Sequence, residues 1–421
     1  MTSSAITALI NLAKAAYARS DPGSYKEKWS PALLGAITNP DRSQLMRLAV
    51  ADCWAELNQT LQALSEVSDL SVFLPASGQF DPTLIYPGGS IRQPFSEFVA
   101  SLLTSAAQKF YFLREEITLH SFIEAVLANY ENLLNQGRGE AITAYNLIGY
   151  TGIQLSPDSQ VSTPWGVLKG APTNFRVGLG FNATTAILAA PCTMTLQVSR
   201  EEYPVQHTAD APIAPTVEGA RQLLPMAFAM ASTGNPRCAP MITFEAVLLP
   251  LVELNSYRHP GILYPIQPTP RPSSEELEAT EAWARRLEES RGGSLQIAER
   301  RLVSAIAQRA EKADALIDSV IAWESLVGTR YRTTTRVAGA LTNLLEGEPA
   351  ARSALRKKLL EIYELRSRVV HGDLAGGDNV SMASDQAIDI GLRAVQKLHD
   401  RGGDWLVVSS ETRADRLNIQ G

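Results

Sequence analysis

Cysteine is scarce in this chain of 421 residues: Cys53, Cys192 and Cys238 stand apart, odd in number and without a CxxC pair. That excludes a disulfide framework and a cysteine zinc site, and it fits a reducing cytosol. The five histidines are as dispersed, with no HExxH and no metal spacing, so neither metal nor other cofactor is expected. No apolar run approaches the roughly 20 residues of a membrane span, so no membrane partner is expected. The opening helix, Ala5 to Arg19, carries Lys14 within it and lacks the basic start of a secretion signal. Charge of one sign is missing too. Lys and Arg number 38 against 44 Asp and Glu, a net charge of −6 that argues against a protein coated in nucleic acid but leaves room for a local basic cleft. There is no internal repeat and no low-complexity segment. A cytoplasmic protein of bacterial type, with two or three domains, is the expectation.

Apolar spacing supplies the organisation and predicts an α+β chain. Residues 1–139 read as mainly helical, with one stripe through Met46, Val50, Trp54, Leu57, Leu61 and Leu64 and another through Phe95, Phe98, Leu102 and Ala106. The Pro- and Gly-bearing stretch 67–93 reads as loop with at most one short strand. Residues 140–256 read as a β-rich, antiparallel domain: 161–169, 186–198 and 241–254 are β-branched and apolar, with one helix near 217–231 kinked at Pro225. Pro260, Pro265, Pro268, Pro270 and Pro272 make 257–273 a stiff linker. Ser273 and Glu276 form a capping box that opens a helical domain over 274–401, and 402–421 reads as a polar tail.

The sharpest chemistry lies in the helix of residues 351–371. Leu355, Leu359, Ile362 and Val369 form its apolar stripe, and Arg366 falls on the same stripe, where a guanidinium is costly unless it faces a polar cleft or a partner. His371 follows five residues later and Gly372 stops the helix. An arginine able to clamp a phosphate and a histidine able to move a proton are thus held at one helix end.

Asp314-Ala-Leu-Ile-Asp318, Ile321-Ala-Trp-Glu324-Ser-Leu326, Arg336 and Tyr363-Glu-Leu-Arg366-Ser-Arg-Val-Val-His371-Gly372 come in an order and spacing that resembles the Apea-like branch of the HEPN superfamily. The resemblance covers about residues 294–400. It implies a helical bundle, generally paired as a homodimer, and a metal-independent endoribonuclease of the kind found in phage defence or toxin-like systems. It implies Arg366 and His371 as catalytic residues, with Tyr363, Ser367 and Glu324 in support. Ser367 stands where many members carry asparagine or another polar residue. The N-terminal region would sense a phage or host trigger, regulate the nuclease or bind a partner.

Metal-free RNA cleavage needs a base for the ribose 2′-hydroxyl, an acid for the leaving 5′-oxygen and a cation for the phosphate. Histidine suits the first two and arginine the third. The two lie about 140° apart on an ideal helix, and the long arginine side chain can swing back. The blander alternative pairs Arg366 with Glu324 and lets His371 cap the helix. Asp314, Asp318 and Glu324 read as structural tethers for Arg336, Arg366 or the dimer seam rather than a metal site. Arg356, Lys357 and Arg368, with Arg352 and Lys358, are candidate RNA-binding cations or simply a solvated face. A non-catalytic dimerisation or RNA-binding module stays open, as does a ligand-binding role for the β-rich part. Trp165 reads as core more readily than as a stacking platform. Gly178-Leu-Gly180 is too short for a phosphate loop, and Asn182-Ala-Thr184 fits a glycosylation pattern without meaning in a cytosol.

Overall fold

Apolar residues at helical spacing form helices early and late in the chain, and β-branched runs form strands between them. The computed structural model describes residues 3–21, 42–74, 81–86, 89–156, 158–171, 184–199, 215–234, 237–251, 270–329, 331, 333–373 and 379–419. Most of the proline linker, Gly178 to Gly180 and Asn182 lie outside the described residues. The chain divides into two compact units, each assembled from separated stretches of sequence.

The first unit comprises residues 1–149, 166–217 and 243–260. Its helices are α1 (Ser3–Arg19), α2 (Arg42–Ala51), α3 (Trp54–Ser65), α4 (Phe95–Leu113) and α5 (Leu119–Gly137). The stripe expected in one helix across residues 46–64 is broken at Cys53, whose φ of −98° and ψ of 42° reset the helical phase. Met46, Val50, Leu57 and Leu64 therefore stay buried while Trp54 turns outward, 65% exposed. The expected loop region holds a hairpin instead of one strand. There β1 (Thr83–Tyr86) pairs antiparallel with β2 (Gly89–Arg92) on one side and with β7 (Gln197–Ser199) on the other. The middle of the chain supplies β3 (Ile142–Thr151), β5 (Gly166–Gly170), β6 (Ala186–Met194) and β8 (Met241–Leu248), in the order β5-β6-β3-β8, with β5 and β6 antiparallel. Buried amides fasten helices here. The Asn129 amide donates to the Leu102 carbonyl at 2.9 Å, and the Gln136 amide donates to the Leu196 carbonyl at 2.9 Å. Each such bond satisfies a group that would be costly to bury alone.

The second unit comprises residues 150–165, 218–242 and 261–421. It holds β4 (Gln160–Thr163), most of α6 (Pro215–Ala231), α7 (Ser274–Glu289), α8 (Gln296–Val303), α9 (Lys312–Val327), α10 (Thr333–Leu345), α11 (Pro349–His371), α12 (Val380–Arg401) and α13 (Ser410–Ile419). The capping box of α7 forms as its sequence predicts: the Ser273 hydroxyl accepts from the Glu276 amide, and the Glu276 carboxylate accepts from the Ser273 amide. A π-helical turn over Ser304–Gln308 and an extended Arg309 separate α8 from α9, so the two helices turn against each other instead of running on. Helix α9 is the centre, packed by α8, α10, α11, α12 and α13. Its Leu316, Val320, Trp323 and Leu326 are fully buried. Trp165 is core, 1% exposed, with its indole donating to Glu288. Within the expected polar tail of 402–421, the described residues 402–419 are ordered into helix and turn. They form a short 3-10 turn, Gly403–Leu406, and α13, whose Arg413, Ala414 and Leu417 are buried. Three inward positions sufficed for a helix that composition alone disguised as solvated chain.

Among the described residues no helix is long and apolar enough to cross a membrane.

Candidate functional site

The end of α11 is built by rules visible in its sequence. Pro349 occupies the first turn, where its missing N–H costs nothing. Leu355, Leu359, Ile362, Tyr363 and Leu365 are buried. Gly372 adopts φ 76°, its amide donating to the Val369 carbonyl and the Asp373 amide to the Arg368 carbonyl at 2.9 Å. That is a Schellman stop, which needs a residue free to enter the left-handed region. The backbone thus closes the helix, and the His371 imidazole is not its cap.

His371 is exposed at this end, and Ser367 is exposed beside it. Arg366 is half-buried, and its Nε is shielded from solvent without a hydrogen-bond partner. Tyr363 is buried edge-on against Trp323, ring centroids 5.9 Å apart. From α9, Glu324 approaches both. Burial pushes its carboxyl above the usual range, and the Arg366 charge and the Tyr363 hydroxyl pull it back only in part. Burial, then the Glu324 charge, pushes the Tyr363 phenol far up. The Tyr363 hydroxyl is close enough to influence Glu324, yet it makes no bond of proper hydrogen-bond geometry. The structure therefore brings Glu324, Tyr363 and Arg366 together. The Arg366–Glu324 relation is an attraction at a distance and not a direct ion pair.

The other candidates are more dispersed. Arg368 is half-buried and already engaged. Arg356 and Lys357 are exposed further up α11, and Lys357 makes a loose 3.9 Å pair with Glu361. Fifteen residues at 1.5 Å each place Arg356 about 22 Å from His371 along the axis. Asp318 tethers neither Arg336 nor Arg366. It is 1% exposed and accepts from Arg301 at 2.8 Å, Arg309 at 2.6 Å and Ser304 at 3.0 Å, while Arg336 pairs with Asp415. These partners were invisible to spacing arguments, because the π-helical turn lies between them. An open groove of about 610 Å³ lies between the first half of α11 and α12, lined by Leu355, Lys358, Met382 and Ile390 among others, away from His371. Among the described residues no three His, Cys, Asp or Glu side chains are grouped to hold a metal ion.

Chemically, the α11 end offers a solvent-facing imidazole, a guanidinium with an unsatisfied donor and a carboxyl that holds its proton more readily than usual. No protein-family model matches the chain, and neither does any curated protein or solved structure.

Proposed function

We propose that the C-terminal helical region is a metal-independent endoribonuclease of the HEPN type, acting on RNA in the cytoplasm as part of a phage-defence or toxin-like system. The motif resemblance supplies the family. The observation that carries the chemistry is the Arg366 guanidinium, with a donor left unsatisfied, about 1.4 helical turns before an exposed and uncommitted His371. His371 removes the 2′-hydroxyl proton, the 2′-oxygen attacks the adjacent phosphorus, and the P–O5′ bond breaks to leave a 2′,3′-cyclic phosphate and a 5′-hydroxyl. Arg366 stabilises the charge gathering on the phosphate oxygens. Glu324 and Tyr363 position Arg366, and Ser367 lines the same exposed edge. One imidazole cannot serve as base and acid at once, so a second copy supplies the acid in a two-fold dimer. The N-terminal region then acts as sensor or regulator.

The test is incubation of purified protein with total RNA in EDTA. His371→Ala and Arg366→Ala should each lower cleavage by at least about 100-fold, the usual loss for a general acid–base group or a charge-stabilising donor. Melting temperature should be unchanged for His371→Ala, since that side chain is exposed. Equal cleavage by wild type and both variants would defeat the proposal. One observation favours a non-catalytic binding module: Glu324 already attracts Arg366 within the bundle. That module would show RNA binding without cleavage, and Arg366→Ala would act mainly by destabilising the fold.

A further inference from the structure

Several arginines around the last helices are held by a carboxylate. Arg286 binds Asp400 at 2.9 Å, Arg336 binds Asp415, Arg291 binds Glu288 at 3.2 Å and Arg393 binds Glu346 at 2.8 Å. Arg401 and Arg416 are sequence neighbours of two of those acids, yet Asp400 and Asp415 are taken and neither arginine has an ion pair among the described residues. Both instead lie over the indole of Trp405, their Cζ atoms 4.6 and 5.7 Å from its centroid. The two guanidiniums are therefore within about 10 Å of each other, close enough to grip one phosphate or two successive ones.

A third guanidinium lies under the same turn. Arg413 is fully buried, with Nε donating to the Leu326 carbonyl at 2.7 Å. Its Nη1 donates to Ser294 Oγ at 2.6 Å, to the Trp405 carbonyl at 3.2 Å and to the Val408 carbonyl at 2.6 Å. Its Nη2 is buried without a partner, and no carboxylate neutralises it. Burial pushes its pKa down to about 10, the mark of a charge without compensation. Asp404 on the turn and Glu411 in the first turn of α13 oppose these three charges, and both are exposed. A chain of net charge −6 thus gathers three guanidiniums, none of them in an ion pair among the described residues, around a half-exposed indole.

We propose that Arg401, Trp405 and Arg416 form a contact site for the phosphate backbone of single-stranded RNA, with Arg413 reinforcing the field from beneath. This rests on the reading of the chain as an RNA-cleaving protein and names where the strand is held away from the cut. Guanidinium forks match phosphate oxygens, and a flexible single strand can bring its phosphates to two such closely spaced forks more easily than a regular duplex. Arg401 ends α12, roughly 30 Å along the axis from its first turn. The patch is therefore at the other end of the helix that follows His371.

The test uses the full chain carrying His371→Ala, so that bound RNA survives, and a fluorescent single-stranded oligouridine read by anisotropy across a salt series. Adding Arg401→Gln and Arg416→Gln should weaken binding about tenfold and reduce the slope of log affinity against log salt by about 1.4, two phosphate contacts at ~0.7 each. An unchanged melting temperature separates this from mere loss of packing around Trp405. Unaltered affinity and slope would overturn the proposal, as would loss of binding to anionic lipid vesicles with RNA binding intact. The two readings fail separately. If wild type binds through the patch but never cuts, the nuclease falls and the contact site stands; if it cuts while the double substitution binds normally, only the contact site falls.

Discussion

A lone carboxylate at 1% exposure would cost several kcal/mol, yet Asp318 sits at the centre of the second unit. Arg301, Arg309 and Ser304 each donate to it, and the first two carry their own positive charge. Burial raises its pKa, but the bonds from Arg309, Ser304 and Arg301 more than offset this, so the folded value lies below the ordinary one. A depressed folded pKa means that the stabilisation is fully present above the unfolded value near ~3.9 and is lost as pH falls through the folded value. Both arginines are partly exposed, which discounts the Coulomb share. Asp318→Ala should therefore cost about 2–3 kcal/mol, since three donors lose their acceptor. Urea unfolding at neutral pH measures it. Asp318→Asn keeps the shape and removes the charge, so its stability deficit against wild type should shrink below about pH 4. A deficit that stays constant into acid would show that the charge contributes nothing. Sequence spacing marked Asp318 as a structural tether but could not name its partners, because the chain between Arg301 and Asp318 follows no single helical period.

Between elements, the close approach of α12 to its neighbours depends on Gly391. A Cβ built there would lie 2.6 Å from Leu302 Cδ2 and 3.4 Å from Trp323 Nε1. The Leu302 end can yield, and alanine gains about 1 kcal/mol of helix propensity, so Gly391→Ala should leave stability nearly unchanged. Gly391→Val adds two methyl groups that cannot all avoid the Trp323 indole, whose Nε1 donates to the Ala387 carbonyl at 3.1 Å. It should lower stability by about 2–3 kcal/mol. Thermal melts of the two variants check the difference, and equal melting would show that the helices part freely. Elements of this kind were the legible part of the chain. Helix α11 ends where Gly372 says it must, and α7 begins at the Ser273 box, because both signals are local. Trp54 and α13 were misread for a common reason. A phase reset at Cys53 and a three-residue buried edge at Arg413, Ala414 and Leu417 are too short to register as periodicity.

At the scale of the whole molecule, the compact units take segments from across the chain: 150–165 and 218–242 belong with the C-terminal helices. No local pattern announces that, because it is decided by which buried faces meet and not by where prolines fall. The sequence did bring forward Arg366 and His371, since a guanidinium on an apolar stripe and a lone histidine before a helix-stopping glycine are conspicuous in one dimension. It also offered Glu324 as a partner for Arg366, but it could not show that the two only attract at a distance while Tyr363 stands buried beside the same carboxyl. On the proposed mechanism a second imidazole is needed, and among the described residues of the second unit no other histidine is exposed. Exposed His371 has no other imidazole in its stretch of sequence, and His399 is buried with Nε2 3.7 Å from Glu299. The proposed nuclease therefore requires association, and its activity should depend on concentration more steeply than first order. Dilution through the dimer dissociation constant should make the rate fall toward the square of protein concentration, while sedimentation follows the same midpoint. Mixing His371→Ala with wild type in excess should poison the activity, because mixed dimers hold one imidazole where two are needed. A rate strictly proportional to concentration across that range, with monomer shown by sedimentation, would mean that one copy of this site carries both proton transfers.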